Sequence, residues 1–305
     1  MSELLAVVDL GSTAVRLLLA RIKPRVGYRV LVEERVPSRL GGGAPGTVPR
    51  EAIDKTLRAV HGFLARYSRK DRGPRVVAVA TSAVRDARNR ERLLEPLRHR
   101  EGIAVEVLTA REEARLGVTA ALEGLRFEDG VVADLGGASL QLSRVRDRRI
   151  VATASLPLGA VRTSRRLGRQ DPPTSRELQV LRTAVRRHLL GALPAARRGE
   201  VMIGLGGTIR ALATMHLRAH RSARKHRHGL RLRQSDVTAI RERLEGLSRR
   251  KRGKIRGLKP ERADIILAGA IVIEEAMVYG GYLTLVVCTR GVRDGILLRE
   301  TFGRG

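Results

Sequence analysis

The stretch Ala6-Val7-Val8-Asp9-Leu10-Gly11-Ser12-Thr13-Ala14-Val15-Arg16-Leu17-Leu18-Leu19 decides the fold, because a second copy follows in mid-chain. That copy reads Val131-Val132-Ala133-Asp134-Leu135-Gly136-Gly137-Ala138-Ser139-Leu140-Gln141-Leu142. Each is an apolar run, an aspartate, an apolar residue, one or two glycines, small hydroxyl residues and a further apolar run. An apolar run ending beside glycine reads as a buried strand entering a tight turn. Small residues in the turn let backbone N–H groups approach an anion closely. The aspartate at the strand end can face whatever the turn cradles. Two such turns, 125 positions apart, predict two similar domains serving one phosphate-containing ligand.

Working outward, 305 residues suffice for two domains of roughly 150 residues each. Hydrophobic residues make up 43% while aromatics are only 2% and Trp is absent, so the cores must be Leu, Val, Ile and Ala. The single cysteine, Cys288, excludes an internal disulfide framework, fits a reducing compartment, and reads as a small buried hydrophobe. Residues 1–8 enter the first strand without a signal-peptide pattern. The longest apolar stretches, such as 265–273, fall short of the ~20 residues that span a bilayer. The expectation is a soluble cytoplasmic protein with no membrane partner.

The net charge of +29 is the strongest bulk signal. It fits a polyanion partner, whether nucleic acid, polyphosphate or an anionic surface. It fits equally an Arg-favouring composition spread over solvated faces, because 53 of the 60 basic residues are Arg and they occur throughout the chain. Two runs are denser, Arg218 to Arg233 and Arg249 to Arg256. Neither contains the aromatics on which single-stranded bases stack, which argues against nucleic acid. The seven histidines show no metal-ligand spacing; His226 and His228 lie in the basic stretch and read as solvated.

In chain order, strands are expected at 15–22, 28–34, 76–80 and 104–108, with helices over 50–69 and 89–100 and from 109 to about 123. Residues 124–130 read as a linker, giving domains 1–125 and 126–305, with the last helix able to pack back on the first. In the second domain helices are expected at 174–192, from 209, at 235–248 and over 260–279, with strands at 201–205 and 282–287 and a last helix opening at 290–295. Strands entering glycine turns and alternating with helices indicate an α/β fold.

No P-loop motif occurs. Gly204-x-Gly206-Gly207 matches a dinucleotide fingerprint poorly, because no acidic residue follows at the required distance. The Asp9, Asp134 and Gly206 turns taken together nevertheless point to phosphate. Each candidate also has a structural explanation. Glu112 and Glu113 open a helix, where the dipole favours acids, and Asp9 and Asp134 could simply bond turn N–H groups.

The chain resembles the exopolyphosphatase / guanosine pentaphosphate phosphohydrolase (Ppx/GppA) family of the actin-like ATPase superfamily. The resemblance runs in order through Asp9 to Thr13, Ala80 to Ala87, Glu112 to Leu116, Asp134 to Ser139, Ser155 to Ala160, Gly206 to Thr208, Glu261 to Gly269 and Arg290 to Gly295. It implies a short two-domain member, with two ribonuclease-H-like (actin-like ATPase) domains and a phosphate-binding cleft between them. The implied reaction is hydrolysis of a terminal phosphoanhydride, releasing orthophosphate from inorganic polyphosphate or from guanosine pentaphosphate, a nucleotide of the stringent response. Such chemistry relies on positioning, charge neutralisation and an activated water.

By the same resemblance, Glu113 is the carboxylate that deprotonates the water, with Glu112 its near alternative. Arg85 would neutralise phosphate charge. Gly11, Ser12, Thr13, Gly136, Gly137, Ala138, Ser139, Gly206, Gly207 and Thr208 would hold phosphate oxygens. Asp134, with Asp9 as the second candidate, would hold Mg²⁺ or another divalent cation. Family members often dimerise, so a homodimer is a further expectation.

Three departures stand out. The first family turn usually has Asn where this chain has Thr13. The second usually reads D-x-G-G-G-S-x-E, whereas here the third glycine is Ala138 and the glutamate is Gln141. An Ala is harmless at negative φ and strained at positive φ. A Gln can hydrogen-bond a water or phosphate but cannot carry charge or accept a proton. The alternative reading is therefore a weakly active or inactive polyphosphate- or nucleotide-binding protein.

Overall fold

The computed structural model describes residues 2–67, 73–168, 170–192, 195–197, 199–223 and 226–303. The chain divides into two compact units, Met1–Ala120 with Val292–Gly305, and Ala121–Gly291.

Unit one opens with β1 (Glu3–Leu10), β2 (Val15–Lys23) and β3 (Gly27–Val36). These are followed by α1 (Arg50–Tyr67), β4 (Arg75–Ala80), α2 (Ser82–Arg85), α3 (Glu91–Glu101), β5 (Val105–Val107) and α4 (Ala110–Gly124). The sheet order is β3-β2-β1-β4-β5. β1 pairs antiparallel with β2 and parallel with β4. A strand with a parallel partner is covered on both faces and so reads as a continuous apolar run, which is what Leu5 to Leu10 supply. Successive side chains alternate between faces. Ala6, Val8 and Leu10 meet Ile53 and Phe63 of α1 and Leu93 of α3. Leu5 and Val7 meet Leu116 of α4 on the other face.

Unit two repeats this plan with β6 (Gly130–Leu135), β7 (Leu140–Arg146) and β8 (Arg149–Leu156). Then come α5 (Ala160–Ser164), α6 (Ser175–Leu189), β9 (Val201–Leu205), α7 (Gly207–Ala219), β10 (Arg231–Arg233), α8 (Gln234–Glu245) and α9 (Arg249–Arg252). A 3₁₀ turn (Pro260–Arg262), α10 (Ile266–Gly280) and β11 (Thr284–Val287) complete it. The order β10-β11-β9-β6-β7-β8 is the order of unit one with one strand added at the edge. α10 is buried almost all round, as an apolar helix without a polar face must be. Its two acids, Glu274 and Glu275, are buried only because Arg182, Arg186 and Arg241 reach them at 2.5–3.0 Å.

The last helix, α11 (Val292–Phe302), belongs to unit one. Ile296 and Leu297 complete the core around Leu5 and Val7. A Cβ on Gly295 would stand 2.2 Å from the Leu116 carbonyl, so only glycine permits this closeness to α4.

Several expectations are corrected. The division falls at 120/121, inside α4, where 125/126 was expected, and residues 292–305 join the first unit, the arrangement the expectation for the last helix allowed. The expected linker at 124–130 is part of unit two, where Arg148 donates to the carbonyls of Leu122 and Phe127. The helix expected over 50–69 ends at Tyr67, and residues 68–69 lie outside the described residues. The helix expected over 260–279 is interrupted, with a 3₁₀ turn ending at Arg262 and α10 starting at Ile266. β8 and β10 were not expected as strands. Both lie on sheet edges with mostly exposed residues, so neither has a strong apolar signal.

Candidate active site

In unit one, Asp9 sits at the end of β1, directly opposite Arg16 on β2. The aspartate is buried, and Arg16 Nη1 lies 3.1 Å from its Oδ2. The guanidinium also crosses Gly11, where a Cβ would meet Nη1 at 3.2 Å. The carbonyls of Ser12 and Thr13 accept from the backbone N–H groups of Gly41 (2.8 Å) and Arg39 (3.3 Å). Two acceptors that would repel a phosphate are thereby engaged.

The two neighbouring glutamates have different surroundings. Thr109 and Glu112 form a reciprocal cap at the start of α4. Thr109 N–H and Oγ1 lie 2.8 and 2.7 Å from Glu112 Oε2, and Glu112 N–H donates back to Thr109 Oγ1 at 3.2 Å. This is a T-x-x-E capping box. The Thr109 backbone N–H, then its hydroxyl, holds the Glu112 carboxyl below its ordinary value. Glu113 instead is buried, and Arg85 Nη1 reaches its Oε2 at 2.9 Å while also donating to the Leu108 carbonyl at 2.9 Å. Arg85 ends the short helix after β4, and Glu113 lies in the first turn of the helix after β5. The sheet thus brings together two residues 28 apart in sequence.

In unit two, Asp134 occupies the same place as Asp9, and its cross-strand partner is Gln141. Gln141 is 2% exposed and donates through Nε2 to Ser139 Oγ at 2.8 Å. The turn closes with Gly136 N–H on the Ser139 carbonyl at 3.0 Å. Ala138 is not among the positive-φ residues, so its methyl group causes no backbone strain. The turn rests on the start of α5, whose Ala160 and Val161 N–H groups donate to the Gly136 and Gly137 carbonyls at 3.0 and 2.8 Å. A Cβ on Gly159 would come within 2.2 Å of the Ala138 carbonyl carbon.

The Gly206 turn lies beside the Asp134 turn, because β9 runs parallel to β6 with Leu205 opposite Asp134. Gly206 has φ 101°, and a Cβ there would stand 2.3 Å from the Leu135 carbonyl. Gly207 lies against Arg262, where a Cβ would stand 2.6 Å from Nη1. Thr208 is fully buried; Arg262 Nη2 donates to its hydroxyl at 3.3 Å. This hydroxyl therefore faces the interior of unit two. Arg16, Gly159 and Arg262 were not singled out from the sequence. A signal existed for Arg16, which follows Asp9 by seven positions as Gln141 follows Asp134.

These paired hairpins and their glycine turns coincide with a family assignment. Residues 19–302 match the Ppx/GppA phosphatase family. The chain belongs to that family. It is 32% identical to exopolyphosphatase 2 of Mycobacterium tuberculosis over 314 residues, covering 96% of this chain and 97% of the relative. It is 29% identical to exopolyphosphatase 1 of Mycobacterium leprae, covering 97% and 89%. The crystal structure of the Aquifex aeolicus Ppx/GppA family member superposes with a TM-score of 0.82 at 27% identity, covering 98% of each chain. An exopolyphosphatase from Cytophaga hutchinsonii shares the fold, with a TM-score of 0.86 at 24% identity and 98% of each chain covered. The architecture is thus the two-domain actin-like ATPase fold, in a family of phosphoanhydride hydrolases. No helix among the described residues is long and apolar enough to cross a membrane.

Proposed function

We propose that this member of the Ppx/GppA family removes terminal orthophosphate from inorganic polyphosphate, with Glu113 as general base. The observation that carries this reading is the buried Glu113 carboxylate held by Arg85 at 2.9 Å, in a chain similar to exopolyphosphatases. Arg85 fixes the carboxylate rotamer, which positions Glu113 for the proton transfer a base performs. In the reaction a water oxygen bonds the terminal phosphorus and the bridging P–O bond breaks. The bridging oxygen leaves with the shortened chain, and Glu113 takes the water proton. Glu112 is assigned to capping α4. Guanosine pentaphosphate offers the same terminal chemistry and is the second candidate substrate. A homodimer is proposed only on the habit of the family.

Among the described residues no group of three or more His, Cys, Asp or Glu could hold a metal, so an all-protein cage does not fit. Mg²⁺ commonly takes one or two carboxylates and draws its other ligands from water and substrate phosphates. Asp134 suits that role, at a strand end beside a phosphate-type turn. Asp9 suits it less, because the fixed cation Arg16 already occupies its Oδ2. Bound Mg²⁺ would neutralise charge on phosphate oxygens. Gly11 to Thr13 in unit one and Gly137 to Ser139 in unit two would offer backbone donors to phosphate, the Gly136 N–H being held by the Ser139 carbonyl.

The neutral Gln141 supports the competing reading of a weakly active binding protein, and one comparison separates the two. Orthophosphate release from polyphosphate is measured for the natural protein, Glu113→Gln and Glu112→Gln. The expected result is a loss in kcat of roughly 10²- to 10⁴-fold, as for removal of a general base, in Glu113→Gln alone, with KM little changed. Equal rates for Glu113→Gln and the natural protein would remove the assigned base. Absence of turnover in the natural protein would favour the binding reading.

A further inference from the structure

Residues 214–235 and 246–260 together carry 14 of the 60 basic residues, and all 31 acids lie elsewhere. These 37 positions thus supply 14 of the +29 net charges, which an even scatter of Arg over the chain would not produce. The fold brings the two stretches together on α7. Arg227 Nη1 donates to Thr214 Oγ1 at 3.2 Å. From the other stretch, Gly257 packs on the same residue, where a Cβ would stand 2.9 Å from the Thr214 carbonyl. Around this junction Arg218, Arg221, Arg227, Lys254 and Arg256 are exposed.

The acids nearby are engaged in other contacts. Asp236 lies 4.0 Å from His216 Nδ1, and Asp171 accepts the Arg249 backbone N–H at 2.7 and 2.9 Å. Glu242 and Glu245 pair with Arg241. Among the described residues, Arg218, Arg221, Lys254 and Arg256 make no ion pair. Like charges left side by side cost free energy, and a polyanion would offset that cost.

We propose that this surface is a second polyanion site, which holds a long polyphosphate chain away from the phosphate being removed. The proposal rests on the function proposed above. α7 runs from the Gly206 turn to the basic surface, and its 13 residues at about 1.5 Å per residue separate the two by roughly 18 Å. A short chain held at the turn would not reach the surface, whereas a long one would. No Phe, Tyr or Trp occurs between 214 and 260, so there is no platform for stacked bases. This favours inorganic polyphosphate over nucleic acid.

The test is the full-length variant Arg218→Gln/Arg221→Gln/Lys254→Gln/Arg256→Gln. Its KM for long-chain polyphosphate should rise at least tenfold and depend less on salt, while KM and kcat for tripolyphosphate stay unchanged. An unchanged KM for the long chain overturns the proposal, as does an equal loss with tripolyphosphate. Fluorescence anisotropy with labelled long-chain polyphosphate supplies a readout that needs no turnover. The natural protein should bind it and the variant should lose at least tenfold in affinity. Equal binding by both proteins overturns the proposal, as does preferential displacement by RNA or duplex DNA at equal phosphate concentration. If the natural protein hydrolyses no polyphosphate, the function above fails and the anisotropy arm still decides this surface.

Discussion

The two hairpins share one backbone plan and differ in charge. In unit one, Asp9 is answered across the strand pair by Arg16, so the turn after it sits beside an ion pair. In unit two, Asp134 is answered by Gln141, whose amide is committed to Ser139. The supports differ as well. The first turn is held by the backbone of residues 39–41, and the second rests on the start of α5 at a separation that only glycine allows. The two units thus share the position of the aspartate and differ in its cross-strand neighbour. The cross-strand residue sets the electrostatics of each turn.

Among changes to the two hairpins, the largest effect should come from breaking the second support. Gly159→Ala forces a methyl group into the backbone of Ala138 and Ser139, and overpacking of this kind costs typically 1–3 kcal/mol. Thermal unfolding should show that loss, and phosphate release should fall by more than tenfold because the turn itself is displaced. The matching change in unit one, Gly41→Ala, meets Ser12 Cβ at 3.0 Å. It should be milder in both measurements. Equal effects would remove the distinction between the two supports.

Changing the cross-strand residue should have a smaller effect. Gln141→Glu places a carboxylate opposite Asp134, as the family usually has. Half-maximal activity should then be reached at several-fold lower Mg²⁺, with some loss of stability from the added buried charge. An unchanged Mg²⁺ dependence would show that the neutral side chain of Gln141 does not limit metal use at the second hairpin.

Acid should distinguish the units next. Burial pushes the Glu200 carboxyl up, but the Arg197 N–H, Arg146 and Arg144 outweigh it and hold the pKa at about 2. Burial likewise opposes ionisation of Glu274, and its bonds from Arg241 and Arg182 prevail, so its value is also lowered. A carboxyl depressed in the folded state adds stability above its unfolded pKa of 4.5 and loses it as pH falls towards the folded value. Unit two should therefore lose amide-exchange protection between pH 4.5 and about 2, and Glu200→Gln should flatten that dependence. The smallest effect is the cap of α4. Thr109→Ala should cost about 1 kcal/mol, while turnover changes less than threefold, since Glu112 is not assigned to the chemistry.

Much of the architecture was legible because the decisive signal was repeated. The runs ending at Asp9 and Asp134 disclosed two sheets, and the glycines after them disclosed the turns. The placement of α11 was not legible. An apolar stripe such as Ile296 and Leu297 asks for a sheet to cover without saying which one. The Arg85–Glu113 pair was not legible either, because a loop, a helix and a strand separate the two residues. Glu112 could not be told from Glu113 by sequence position. The capping box with Thr109 and the burial beside Arg85 separate them in the structure. Gly159 was visible only as a member of a motif, since its close approach to Ala138 is a tertiary fact.

The central claim is terminal hydrolysis of a phosphoanhydride, and product analysis tests it most directly. Long-chain polyphosphate is incubated with the natural protein and Mg²⁺, and the products are resolved by size over time. The account predicts steady release of orthophosphate with the remaining chains shortening from their ends. Accumulation of intermediate-length fragments, or no orthophosphate at all, would contradict it.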